Sequence, residues 1–155
     1  MTATNASLLR RLGAMIYDSL LVLALLFLAT VPFVAIRGGE SVEPNSLIYQ
    51  VAILGVVYAF FVGFWTTKGR TLGMQTWGLQ LEDEEGRVPG IGPCSVRFVV
   101  AAVSWAAFGL GFLWQLVDKD GLSWHDRASG TRLMHYPNKK KKKDGKSDES
   151  SAHPR

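Results

Sequence analysis

The sequence predicts an all-α membrane protein. It has a transmembrane helical hairpin, a third glycine-broken apolar segment that either spans or is re-entrant, a short polar connector and a disordered basic tail. Three observations predict it. Leu12 to Ile36 is an apolar run of 25 residues with Asp18 as its only charge, and Leu47 to Thr67 is a second run with no charge. At ~1.5 Å per residue, both are long enough to cross a ~30 Å hydrocarbon layer. A third apolar run, Phe98 to Val117, is interrupted at Gly109 and Gly111. Clustering carries this reading, because 48% apolar residues is an ordinary total.

The first run begins directly after Arg10 and Arg11. It is longer than the apolar core of a signal peptide, contains Asp18 and lacks a clean cleavage pattern before Gly38, so a retained helix is expected. An ionisable group inside a span is costly and needs a partner or a watery cavity. Arg11 and Asp18 stand seven positions apart and share a helix face. Asp18 is read either as a functional polar group or as a residue that fixes packing and depth. A short loop with Gly38, Gly39, Glu40, Glu43 and Pro44 then turns the chain back.

In the second run, Gly55, Ala59 and Gly63 recur every four residues, with Ala52 on the same side. Small residues let helix backbones approach in lipid, so these positions are expected to form a packing face, within the chain or between copies in a homo-oligomer. The connector 67–97 carries Leu72, Met74 and Trp77 in a short interfacial helix, with Trp77 at the lipid interface. Leu79 and Leu81 read as a short strand entering the acidic turn Glu82 to Glu85. That cluster lacks the alternating spacing of a calcium loop.

Formal charge is +4 overall, yet residues 1–136 hold ten basic and ten acidic side chains. The excess lies in 137–155, where Lys139, Lys140, Lys141, Lys142 and Lys143 suit an anionic lipid surface. This run is a terminal segment and not a folded basic face, so no nucleic-acid partner is expected. The lipid bilayer is the expected partner. The division is a membrane domain, 1–136, with helices at about 12–36, 47–67 and 98–117, and a disordered tail, 137–155.

Lys and Arg number two before the first run, one in the first loop, four in the connector and ten thereafter. The positive-inside rule puts the N-terminus and connector in the cytoplasm. A third full crossing would export the ten. A re-entrant segment avoids this, and a cytoplasmic C-terminus is expected.

No catalytic residues, metal site or cofactor are expected. Cys94 stands alone, and His125, His135 and His153 lack metal-ligand spacing. His125 beside Asp126 is expected to point away from it, with no nucleophile placed with the pair.

Three separated pieces carry a resemblance: Arg10-Arg11-Leu12-Gly13-Ala14-Met15-Ile16-Tyr17-Asp18, Gly69-Arg70-Thr71-Leu72-Gly73, and Trp124-His125-Asp126-Arg127-Ala128-Ser129-Gly130-Thr131. Their order and spacing resemble the RDD family of small bacterial membrane proteins over about residues 7–136. The resemblance implies that Arg11, Asp18 and Asp126 are the family's arginine and two aspartates. It also implies a multi-pass inner-membrane protein, with transport of unknown ligands suspected and cation/proton antiport attached to some members. Met74 and Gln75 depart from the basic residues such proteins often carry after the Thr-Leu-Gly step. The expectation is that Arg11 pairs with Asp126 at the cytoplasmic face and that Asp18 is the ion-coupling group. The alternative is a membrane adaptor that binds a partner at its cytoplasmic face.

Overall fold

A computed structural model describes residues 4–40, 43 and 45–136. The lysines 139–143 and the tail lie outside the described residues.

The hairpin is present. Helix α1 runs Leu8–Ile36 and α2 runs Leu47–Lys68, and both are long and apolar enough to cross a membrane. α1 begins four residues earlier than the apolar run, because Arg10 and Arg11 are absorbed into its first turn. None of its most apolar window is buried inside the chain, so lipid is the medium that covers it. Near the loop the two helices meet through Thr30 Oγ1 and the Tyr49 hydroxyl at 2.9 Å, and through the edge-on rings of Phe33 and Tyr49. Pro32 stands inside α1, where it removes one backbone donor.

The small-residue face of α2 is not where the chain packs. Gly55, Ala59 and Gly63 are exposed, and a Cβ on either glycine would meet nothing within 4 Å. The helix instead turns Tyr58, Phe61, Val62 and Trp65 inward. The reason is the bulk of its neighbour. The third segment presents Arg97 and Phe98, which need flat aromatic partners and not a close backbone approach. Tyr58 meets Phe98 edge-on at 5.4 Å, and Arg97 lies over the Trp65 ring at 5.5 Å.

After α2, the short helix α3, Leu72–Thr76, packs on α1, and strand β2, Leu79–Asp83, follows. Trp77, at the end of α3, is 40% exposed and lies against Gly13 of α1.

The third segment starts earlier than its apolar run. Helix α4 covers Ile91–Ala106; Pro93 falls in its first turn, where a missing donor costs nothing. The chain then breaks at Phe108 and Gly109, both at positive φ. It continues at 109° as α5, Leu110–Leu113, and a 3₁₀ turn, Trp114–Leu116. α4 is amphipathic in an inverted sense. Cys94, Arg97 and Ser104 face the protein, while Val96, Val99, Val103 and Trp105 are exposed.

Helix α6, Trp124–Ser129, packs on α4, and strand β3, Thr131–His135, closes the described chain. β3 is the centre of a three-stranded antiparallel sheet, flanked by β2 and by β1, Thr4–Asn5. Such a sheet is an addition to the all-α expectation, which foresaw a strand only at Leu79 and Leu81. Both leucines are fully buried and form the centre of the small core with Leu133 and Met74.

The sheet fixes the topology. β1 precedes the first span, β2 follows the second, and β3 follows the third segment. Pairing all three requires those segments to share one side of the bilayer. With α1 and α2 as the two spans, this arrangement favours a re-entrant third segment, and the 109° bend at Gly109 is compatible with one.

Candidate functional site

Two buried polar assemblies join the helices on the sheet side. The first is centred on Asp126, the third residue of α6. Its Oδ2 accepts from Arg11 Nη1 at 2.5 Å and from the Ser123 backbone N–H at 3.1 Å. That backbone bond is the reach-back half of a capping box, which turns the carboxylate toward the helix start. Its Oδ1 accepts from Arg97 Nη1 at 2.5 Å. Arg11 also donates through Nε to the Ala6 carbonyl and through Nη1 to Ser123 Oγ. Arg97 Nη1 also donates to Thr131 Oγ1. One carboxylate thus ties α1, α4 and α6 together.

The expected Arg11–Asp126 pair is present, and Arg11 is itself buried. Arg97 was not foreseen. The signal was a lone arginine directly before an apolar run, which had been counted only toward loop charge.

The electrostatics follow from burial. Asp126 is 1% exposed. Burial alone would push its carboxyl up, but Arg97 and Arg11 more than offset this and hold it well below the usual carboxylate range. His125, next in the chain, also faces inward and does not point away from Asp126. Its Nε2 lies 2.9 Å from Ser123 Oγ and 3.8 Å from Asp126 Oδ1. In a one-and-a-half-turn helix held by its cap, neighbouring side chains can both lean toward the start. Burial, then the positive Arg97, hold the imidazole at a pKa of about 3, so it is neutral at pH 7. The cluster therefore carries two positive charges and one negative. Ser123, His125 and Asp126 lack the geometry of a hydrolase relay, because serine and aspartate face the same ring nitrogen and Nδ1 has no hydrogen-bond partner among the described residues.

The second assembly is centred on Asp18, 3% exposed and about 10 Å further along α1 than Arg11. It accepts from the Gly73 N–H at 2.8 Å and from the Thr71 hydroxyl. Thr71 Oγ1 accepts in turn from the Met74 N–H at 3.2 Å, capping α3. Gly73 is required here, since a Cβ would collide with the Ala14 carbonyl and the Asp18 carboxyl. Among the described residues no cationic side chain pairs with Asp18. The structure thus separates the three charged positions. Arg11 and Asp126 meet, and Asp18 holds a different partner.

A sequence model of the RDD family matches residues 5–130. The chain belongs to the RDD family. No curated protein and no solved structure matches it. The family region takes in Arg11, Arg97 and Asp126 of the first assembly and Asp18, Thr71 and Gly73 of the second, and ends at the Gly130 that caps α6. Among the described residues no group of three or more His, Cys, Asp or Glu side chains is placed to hold a metal ion.

Proposed function

We propose that this RDD protein is a transport component of the inner membrane in which Asp18 is the ion-coupling group, with protons and alkali cations as the exchanged species. The observation that carries the reading is a carboxyl buried inside a candidate membrane span with, among the described residues, no cationic side chain beside it. Such a group is costly, and in membrane proteins it commonly marks an ion or proton pathway. Its two acceptor bonds, from Thr71 and Gly73, hold α3 against α1. Protonation or cation binding at the carboxyl weakens them, so occupancy is linked to the position of α3. The Arg11–Asp126–Arg97 cluster acts as the fixed closure of the face. With two full spans per chain, the pathway runs between copies. The balance of basic residues supports a cytoplasmic location for the sheet side.

A second reading is an adaptor that binds a partner at the same face without transport. The full internal pairing of Asp126 favours it, since that cluster serves as a static brace.

The two readings separate in proteoliposomes carrying an internal pH dye and given pulses of sodium, potassium or lithium. A cation-driven pH change in the wild type, lost in a folded Asp18→Asn variant, supports transport. No change with correctly folded wild type removes the transport reading and leaves the adaptor.

A further inference from the structure

A third polar feature lies outside both assemblies. A cavity of 250 Å³ opens between α3 and the sheet, lined by Arg70, Gln75, Gly78, Leu79, Gln80 and Tyr136. Arg70 is exposed, and its guanidinium makes no hydrogen bond or ion pair among the described residues. Gln75 and Gln80 add amide groups that can donate or accept. The acidic neighbour is already engaged, because the Tyr136 hydroxyl donates to Glu82 Oε1 at 2.6 Å. The cavity therefore offers one unpaired cation and two amides to whatever enters.

The cavity lies close in sequence to the end of α2, a helix long and apolar enough to cross a membrane. Arg70 stands two residues past the end of α2, whose terminal Lys68 lies over Phe64 at 5.5 Å. Trp77 borders the cavity residues in sequence and rests on Gly13 near the start of the first span. We propose that this cavity binds a phosphate monoester or diester anion, supplied as the headgroup of a phospholipid. A guanidinium fork matches two phosphate oxygens, and the amides suit the remaining oxygens or a glycerol hydroxyl. This site is independent of the transport reading.

The test is native mass spectrometry of the full chain in detergent, titrated with phosphatidylglycerol and, separately, with inorganic phosphate. Wild type is compared with Arg70→Gln and with Arg87→Gln, an exposed arginine outside the cavity. Headgroup binding about tenfold weaker in Arg70→Gln and unchanged in Arg87→Gln is expected from loss of one charge-assisted contact. Inorganic phosphate bound with the same Arg70 dependence, and phosphatidylglycerol without it, supports the phosphate site and assigns its source to solution. Equal binding of both ligands by wild type and Arg70→Gln overturns the proposal. If Arg70→Gln does not purify, Gln75→Ala and Gln80→Ala read the same cavity, and wild-type binding in both overturns it.

Discussion

Arg97 of the third apolar segment donates to Asp126 Oδ1 at 2.5 Å, while Arg11 of the first span donates to Oδ2 at the same distance. The two oxygens of one carboxylate thereby fasten helices that are 86 residues apart in sequence. The second span joins the same assembly through Trp65, whose ring lies under Arg97.

Removing Arg97 leaves Asp126 buried with one cation in place of two. Arg97→Gln is expected to destabilise the protein by roughly 3–5 kcal/mol, the usual cost of breaking a buried pair. Arg97→Lys should rescue only part of this, because an ammonium cannot reproduce the guanidinium's planar donor set beneath Thr131 and over Trp65. Thermal unfolding in detergent measures both, and a melting temperature unchanged by Arg97→Gln would refute the brace.

Acid should weaken the cap in two stages. The folded-state pKa of His125, about 3, lies below the ordinary value of 6.5. Its contribution is therefore complete above pH ~6.5 and is lost as pH falls from there toward 3. The Asp126 carboxyl is also depressed on folding. Its contribution is intact above pH ~4 and fails only below that. The wild-type melting temperature should thus begin to fall below pH 6.5, whereas that of His125→Gln should stay flat until about pH 4. Parallel profiles would show that His125 is not held neutral by burial.

Gly73→Ala places a methyl group against the Ala14 carbonyl and the Asp18 carboxyl. Overpacking of this kind costs about 1–3 kcal/mol. Thr71→Val removes the hydroxyl that both donates to Asp18 and caps α3, and should also destabilise, by about 1–2 kcal/mol. Melting curves of the two variants report the docking of α3. Wild-type stability in Gly73→Ala would mean that α3 does not sit against Asp18.

Much of this was legible in the sequence. Uninterrupted apolar runs define the hairpin because lipid tolerates only satisfied backbone, and Gly109 marked the break in the third segment. Asp18 stood out because a charge inside a span demands a partner, and the Arg11–Asp126 pair followed from the resemblance to the family. The sheet was less visible, since two-residue and five-residue strands from three distant segments leave little periodicity. Arg97 was missed because α4 presents its polar side to the protein and its apolar side outward, the reverse of a soluble helix. The Gly55, Ala59 and Gly63 stripe is not the packing face within the chain, because small residues permit close packing but do not compel it. Thr71 and Gly73 carried no signal as partners of Asp18, because that contact depends on how α3 folds back onto α1.

A third segment that returns to the side it left is tested most directly by thiol labelling. In a Cys94→Ala background, single cysteines replace Gly39 in the first loop, Glu85 in the turn after β2 and Asp120 before α6, all exposed positions. A membrane-impermeant reagent is applied to sealed vesicles of known orientation. Positions 85 and 120 should label from one side and position 39 from the other. Labelling of 120 together with 39, and not with 85, would mean that the segment crosses the membrane, and would contradict the shared sheet.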